Sequence, residues 1–359
     1  MSGYNGSGRL FVDEPATALD MSPLVTTMIT PDERRNVRRA GGELARAAGG
    51  AWLFINGRFT SGGERSTDTL VKNKLWGAYK YPTESNRRLN VLLNSPGGSL
   101  DSAYSTALYL AAYAKELHVY VPSRAKSAST LLAIGAHKTF LSPFAELGPL
   151  DTQIPDPRNP ATTVSALDCY QSVDYVRDFG FKTITKVLPQ LVEDTERRIP
   201  VTDLLATATT FAIGVVQPVL STITALDFGG WGRSLRIGER YASKLLDAKA
   251  KDGDVTRADE IASQLVYGYT HHRFPIDIHE ARRIGLEVEL MRPDVYKAAV
   301  KVLNACRNKS FVGFLSKKEA AKTVDKAHGR GKTREHQEDG AGEQDPPLAE
   351  AGMAEGWPD

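Results

Sequence analysis

Cysteine is nearly absent: Cys169 and Cys306 are the only two in 359 residues. Two thiols cannot build a disulfide framework, so a reducing compartment is the simpler setting. Net charge is also missing, since 45 basic residues face 43 acidic ones. A balance of +2 gives no electrostatic footprint for nucleic acid, and no nucleic-acid partner is expected. The first residues, MSGYNGSGRL, contain no basic stretch followed by an apolar one. No secretory signal is therefore expected, and a cytoplasmic location follows. His271, His272 and His279 match no established ligand spacing, so neither a metal nor another cofactor is expected.

Long apolar runs are scarce too. One stretch, Leu204 to Leu226, is free of charge and long enough to cross a bilayer. Its threonines, Gln217, Ser221 and Pro218 argue instead for a buried or subunit-contact helix broken near Pro218. No membrane partner is expected. The chain has no internal repeat.

What the sequence does contain is a core-forming share of apolar residues, 41%, in a recurring pattern. Pro31 to Ala48 suits a charged surface helix. Ala51–Ile55, Leu89–Leu93, His118–Pro122 and Lys138–Leu141 read as short strands. Asp68–Tyr81, Ser102–Leu117 and Ser127–Ala136 read as helices between them. Strands alternating with helices at this spacing predict an α/β fold with a mostly parallel sheet and flanking helices. Residues 1–49 read as a polar arm and surface helix, and 50–300 as the catalytic domain, with a helical insertion at about 160–265. Residues 301–359 read as a tail, basic and then acidic. From Glu335 onward it holds eight acidic residues and no Lys or Arg, a composition that predicts disorder. Asp277 and Glu280 form a capping-box pattern for a helix ending near Gly285. Gly229-Gly-Trp231 reads as a hinge or turn, and Cys169 as packing.

Two segments carry chemistry. Asn94-Ser-Pro-Gly-Gly-Ser99 lies between a strand and a helix, where its glycine amides can face a developing negative charge. Ser127, in Lys126-Ser-Ala-Ser-Thr130, opens the helix after the next strand. It sits 29 positions after Gly98, one helix and one strand later. In a parallel unit both turns fall at the same end of the sheet. A serine then faces glycine amides, which is a nucleophile beside an oxyanion hole. A serine at a helix start is otherwise an N-cap.

This ordered pair resembles the Clp protease and signal-peptide-peptidase superfamily, which shares the crotonase fold. Lys126–Gly135, Glu146–Gln153, His271–Ile276 and Glu280–Leu286 are most similar to the serine dehydrogenase proteinase family. The resemblance covers about residues 50–290. It implies Ser127 as nucleophile, the amides of Gly98 and Ala128 as oxyanion hole, and Gly97 as the residue shaping the turn. It also implies a peptide or unfolded protein substrate added as a strand along Gly98, and a homo-oligomer.

The general base departs from the family pattern. Ser142–Asp151, where a Clp protease carries its His, has none. No Lys lies between Lys138 and Lys182, where a signal peptide peptidase would supply one. His272, oriented by Asp151, is the leading candidate. His271 and Lys126 are the others, although Lys126 should point away from its neighbour Ser127. The expected activity is peptide-bond hydrolysis through a Ser127 acyl-enzyme. A non-catalytic peptide-binding or assembly protein and a crotonase-type acyl-CoA enzyme are the competing readings.

Overall fold

A computed structural model describes residues 30–79, 88–156, 159–249, 255–306 and 309–315. Its centre is a six-stranded sheet. In chain order the strands are β1 (Ala51–Asn56), β2 (Arg88–Asn94), β3 (Glu116–Val121), β5 (Lys138–Leu141), β9 (Val288–Leu290) and β10 (Phe311–Leu315). The spatial order is β10-β1-β2-β3-β5-β9. All neighbours pair in parallel except β10, which runs antiparallel to β1 at one edge.

Both faces of the sheet are covered, which is why its strands are apolar at nearly every position. Alternate side chains separate into two cores. Leu53, Ile55, Val91, Leu93, Val119 and Val121 point to one face. There they meet α2 (Thr67–Tyr79), α3 (Leu100–Tyr113) and α4 (Thr130–Ile134). Trp52, Phe54, Leu92 and Tyr120 point to the other. There they meet α1 (Pro31–Ala48) and α10 (Pro293–Ala305). Trp52 is fully buried, and its indole N–H is satisfied by the Gly49 carbonyl at 2.9 Å. The α1 helix starts at Thr30, which forms a reciprocal capping box with Glu33.

These elements run from 31 to 315, wider than the expected 50–300. The α1 helix covers one sheet face against α10, and β10 completes the sheet edge. The expected loose arm (1 to about 30) and the acidic tail lie almost wholly outside the described residues. The helix expected at Ser102–Leu117 stops at Tyr113, and β3 begins at Glu116. The register of β3 against β2 takes Glu116 and Leu117 into the sheet.

The insertion begins with an antiparallel ribbon, β7 (Gln153–Asp156) with β8 (Asn159–Ser165). Four helices follow: α5 (Ala166–Asp194), α6 (Val201–Leu220), α7 (Ala225–Asp247) and α8 (Val255–Tyr267). Two expectations are corrected here. The α6 helix is neither buried nor broken at Pro218: within it only Leu204, Ala208 and Ala212 are buried, and it runs on to Leu220. Pro218 sits in the last turn, where continuing the helix costs one backbone hydrogen bond. Gly229-Gly-Trp231 is no hinge. It lies inside α7, started upstream by a Thr224–Asp227 capping box, with Trp231 buried. By length and composition α6 could cross a membrane, with mean hydropathy 1.4 over its most apolar 18 residues.

Candidate active site

The site lies at the carboxyl ends of the strands, where open α/β sheets place their ligands. Leaving β2, Ser95 pairs with Ala125 of a short strand, β4 (Arg124–Ala125). The Ser95 N–H donates to the Arg124 carbonyl at 2.9 Å, and the Lys126 N–H donates to the Ser95 carbonyl at 3.0 Å. These bonds bind the glycine loop to the serine loop. Beyond them Ser127 turns into the left-handed region, φ 50°. A non-glycine residue there costs about 1–3 kcal/mol and needs surroundings that enforce it. Those surroundings are visible. The single Thr130 hydroxyl proton is shared between the carbonyls of Ala125 (2.9 Å) and Gly148 (2.8 Å), and Ser129 Oγ donates to the Lys126 carbonyl (2.7 Å). Ser127 starts a 3-10 turn (Ser127–Ser129) and then α4, so its hydroxyl is not an N-cap for the following α-helix.

Both glycines are required by contact as well as by φ. A Cβ on Gly97 would stand 2.7 Å from the Lys126 carbonyl and 2.8 Å from Ser127 Cβ. One on Gly98 would stand 2.1 Å from the Phe59 carbonyl oxygen. Phe59 pairs in parallel with Gly98: its N–H donates to the Gly97 carbonyl at 2.8 Å, and its carbonyl accepts from the Ser99 N–H at 2.9 Å. In such a bridge the N–H and C=O of the central residue point the other way. Gly98 therefore turns its own amide away from Phe59. No backbone carbonyl among the described residues accepts from Gly98 or Ala128.

His272 and Ser127 line one cleft of about 500 Å³ together with Gly98. Behind His272 lies Asp151, with a side chain only 2% exposed. His272 Nδ1 and Asp151 Oδ2 are 3.6 Å apart, and neither atom has a hydrogen-bond partner among the described residues. A shift of under 1 Å would bring them to bonding distance. The other carboxylate oxygen, Oδ1, accepts from the Leu167 N–H at the start of α5, at 3.2 Å.

The remaining base candidates point elsewhere. His271 is exposed, and its Nδ1 accepts from the Arg273 N–H at 3.1 Å. The Lys126 ammonium pairs with Glu146 at 3.0 Å and donates to the Phe274 carbonyl at 3.2 Å. The capping pattern at α9 (Ile278–Arg283) is half realised. Asp277 caps the Glu280 amide, but the Glu280 carboxylate bonds to Arg283 and to the Tyr269 hydroxyl. Tyr269, buried against that carboxylate, has its pKa raised well above the ordinary phenol value.

The sequence alone does not reveal the supports that hold His272. Leu147, of β6 (Glu146–Leu147), exchanges two backbone hydrogen bonds with Ile276, at 2.8 and 3.1 Å. Lys126 adds its bond to Phe274. Lysines and backbone bridges of this kind leave no motif. A Glu twenty residues from a Lys has many possible partners until the fold pairs them.

No family model matches the chain. An uncharacterized protein of Methanocaldococcus jannaschii, MJ0137, is 24% identical over 228 residues, which make up 63% of each chain. The match thus spans under two thirds of that relative. Among solved structures, a mutant of the 1510-N membrane-bound stomatin-specific protease aligns over 66% of this chain and 76% of its own, with 14% identity and TM-score 0.36. ClpP1 from Listeria monocytogenes aligns over 73% and 98%, with 12% identity and TM-score 0.35. Scores this low carry no argument, and what the site can do follows from its own geometry.

Proposed function

We propose that the protein is a serine-type hydrolase cleaving peptide bonds through a Ser127 acyl-enzyme. One observation carries this reading: a serine held in the left-handed region shares a cleft with a histidine backed by a buried, otherwise unpartnered carboxylate oxygen. Ser127 Oγ attacks the scissile carbonyl while His272 takes its proton. Asp151 holds the imidazole in orientation and stabilises its cationic form. The tetrahedral oxyanion is received by the amides of Gly98 and Ala128. The proton on His272 passes to the leaving amine, and water then releases the acyl group by the reverse sequence. The unpaired edge of Gly98 takes the substrate as an added strand. The resemblance to the serine dehydrogenase proteinase family supports the roles of Ser127, Gly98 and Ala128 but not the base, and we extend it to a homo-oligomer.

A fluorophosphonate probe tests the reading. Wild-type protein should be labelled, and Ser127→Ala should not. Labelling that survives the substitution, or a wild type that never reacts, removes the acyl-enzyme and leaves a peptide-binding scaffold.

A further inference from the structure

The cleft around Ser127 carries charge that the hydrolytic machinery does not use. Arg58 and Arg273 both line it. Both are exposed, and neither guanidinium has an ion pair among the described residues. By contrast, Arg283 pairs with Glu280. Arg58 precedes Phe59, the residue paired with Gly98. Phe59 is buried, and strand alternation turns Arg58 to the opposite face. Arg273 directly follows His272. Arg58 thus lines the cleft beside the partner of Gly98, and Arg273 lines it beside His272.

The countercharges are few. Asp101 lines the same cleft, but its Oδ1 accepts from the Tyr241 hydroxyl at 2.8 Å, and it sits in the first turn of α3. The Tyr241 pKa is pushed up to about 12 by this bond, so it stays a donor across the physiological range. Asp151 is buried behind His272. The remaining lining residues, such as Thr152, Gln153, Thr163 and Ser234, are neutral. Two free planar cations facing one groove match carboxylates, which a guanidinium can bind through two parallel hydrogen bonds.

We propose that Arg58 and Arg273 select acidic peptides, with Asp or Glu side chains within a few residues of the scissile bond. This rests on the Ser127 hydrolase reading for its geometry. The test uses internally quenched peptide libraries that differ only in carrying Glu, Gln or Lys at each position. Wild-type kcat/KM should favour Glu over Lys by about tenfold or more at one or more positions, and the preference should shrink as salt rises from roughly 50 to 500 mM. The double variant Arg58→Glu, Arg273→Glu should invert the order toward Lys, a gain that misfolding cannot produce. Equal rates for Glu and Lys peptides, or an unchanged order in the double variant, would overturn the proposal. If no peptide is cut, fluorescence anisotropy of the same peptides on Ser127→Ala decides it. Tighter binding of the Glu series supports the acidic-peptide groove, and equal binding rejects it. Fluorophosphonate labelling of the wild type reports separately on the hydrolase reading.

Discussion

Gly98 and Ser127 illustrate how closely backbone and chemistry are tied at this site. The Gly98 amide can face a substrate only because Phe59 packs against the glycine where a side chain would be. With φ at 137° and the Phe59 oxygen at 2.1 Å, Gly98→Ala has neither the conformation nor the room. The loop must move, and overpacking of this kind costs about 1–3 kcal/mol. Thermal unfolding should show a drop of several degrees, and the fluorophosphonate labelling rate should fall by about 100-fold as one oxyanion donor is displaced. A variant that keeps the wild-type labelling rate would take Gly98 out of the hole. His272→Ala should lower kcat/KM, read by steady-state hydrolysis, by about four orders of magnitude.

At the level of elements, the segment carrying His272 depends on β4, β6 and the backbone bridge to Ile276. Lys126 crosses from the serine loop to the Phe274 carbonyl and to Glu146, and its side chain is only 15% exposed. On the proposed hydrolase reading, Lys126 acts as a positioning residue. Lys126→Met should lower kcat by about tenfold while leaving KM nearly unchanged, and Lys126→Arg should recover part of the loss. A matching rise in KM would mean instead that the lysine meets substrate. Within α7, a Cβ added at Gly229 would meet nothing within 4 Å, and the residue lies in regular helix. Gly229→Ala should therefore stabilise the protein by about 0.5–1 kcal/mol, read as a small rise in Tm. A true hinge would respond in the opposite direction.

These elements also show what a sequence makes legible. The buried strands are readable because two-sided burial demands unbroken apolar runs, as in Leu89–Leu93. Gly97, Gly98 and Ser127 are readable because strand-to-helix turns with special φ constrain residue type. His272 and Asp151 are legible only as candidate residue types, because the base departs from the family pattern and the pair joins positions 121 residues apart. The Leu147–Ile276 bridge and the Lys126 anchor are not legible, because backbone pairing and long-range ion pairs leave no local pattern. Gly229-Gly-Trp231 misleads for a related reason: glycine lowers helix propensity, but a strong cap upstream and a buried Trp231 override it.

For the whole molecule, the exposed apolar surface of the α5–α6 hairpin bears on assembly. A groove of about 430 Å³ between the two helices is lined by Phe181, Ile184, Ala212, Ile213, Val216 and Leu220, with Arg177 among its few polar neighbours. Phe211 and Val219 lie on another flank of α6, each about half exposed at 54% and 49%. A lipid bilayer is one candidate cover, but α5 carries Asp174, Arg177 and Asp178, each more than half exposed along the same hairpin. Burying such charges in hydrocarbon costs about 2.5–3.5 kcal/mol apiece. A second copy of the chain accommodates both features, with apolar side chains at the centre and ion pairs at a wet rim. Apolar surfaces on more than one flank suit contacts with neighbours on both sides, as in a closed ring. Light scattering coupled to size exclusion should give a multiple of 39.1 kDa. Phe211→Asp with Ile213→Asp should shift it toward a single chain, and vesicles of anionic phospholipid should not sediment either protein. A wild type that runs as a monomer and sediments with vesicles would assign the hairpin to a membrane surface. The hairpin follows directly from Asp151 through β7, β8 and the start of α5, where Leu167 donates to the Asp151 carboxylate. Assembly should therefore tighten the His272–Asp151 contact, and the monomeric variant should label with fluorophosphonate more slowly than the wild type at equal Ser127 content.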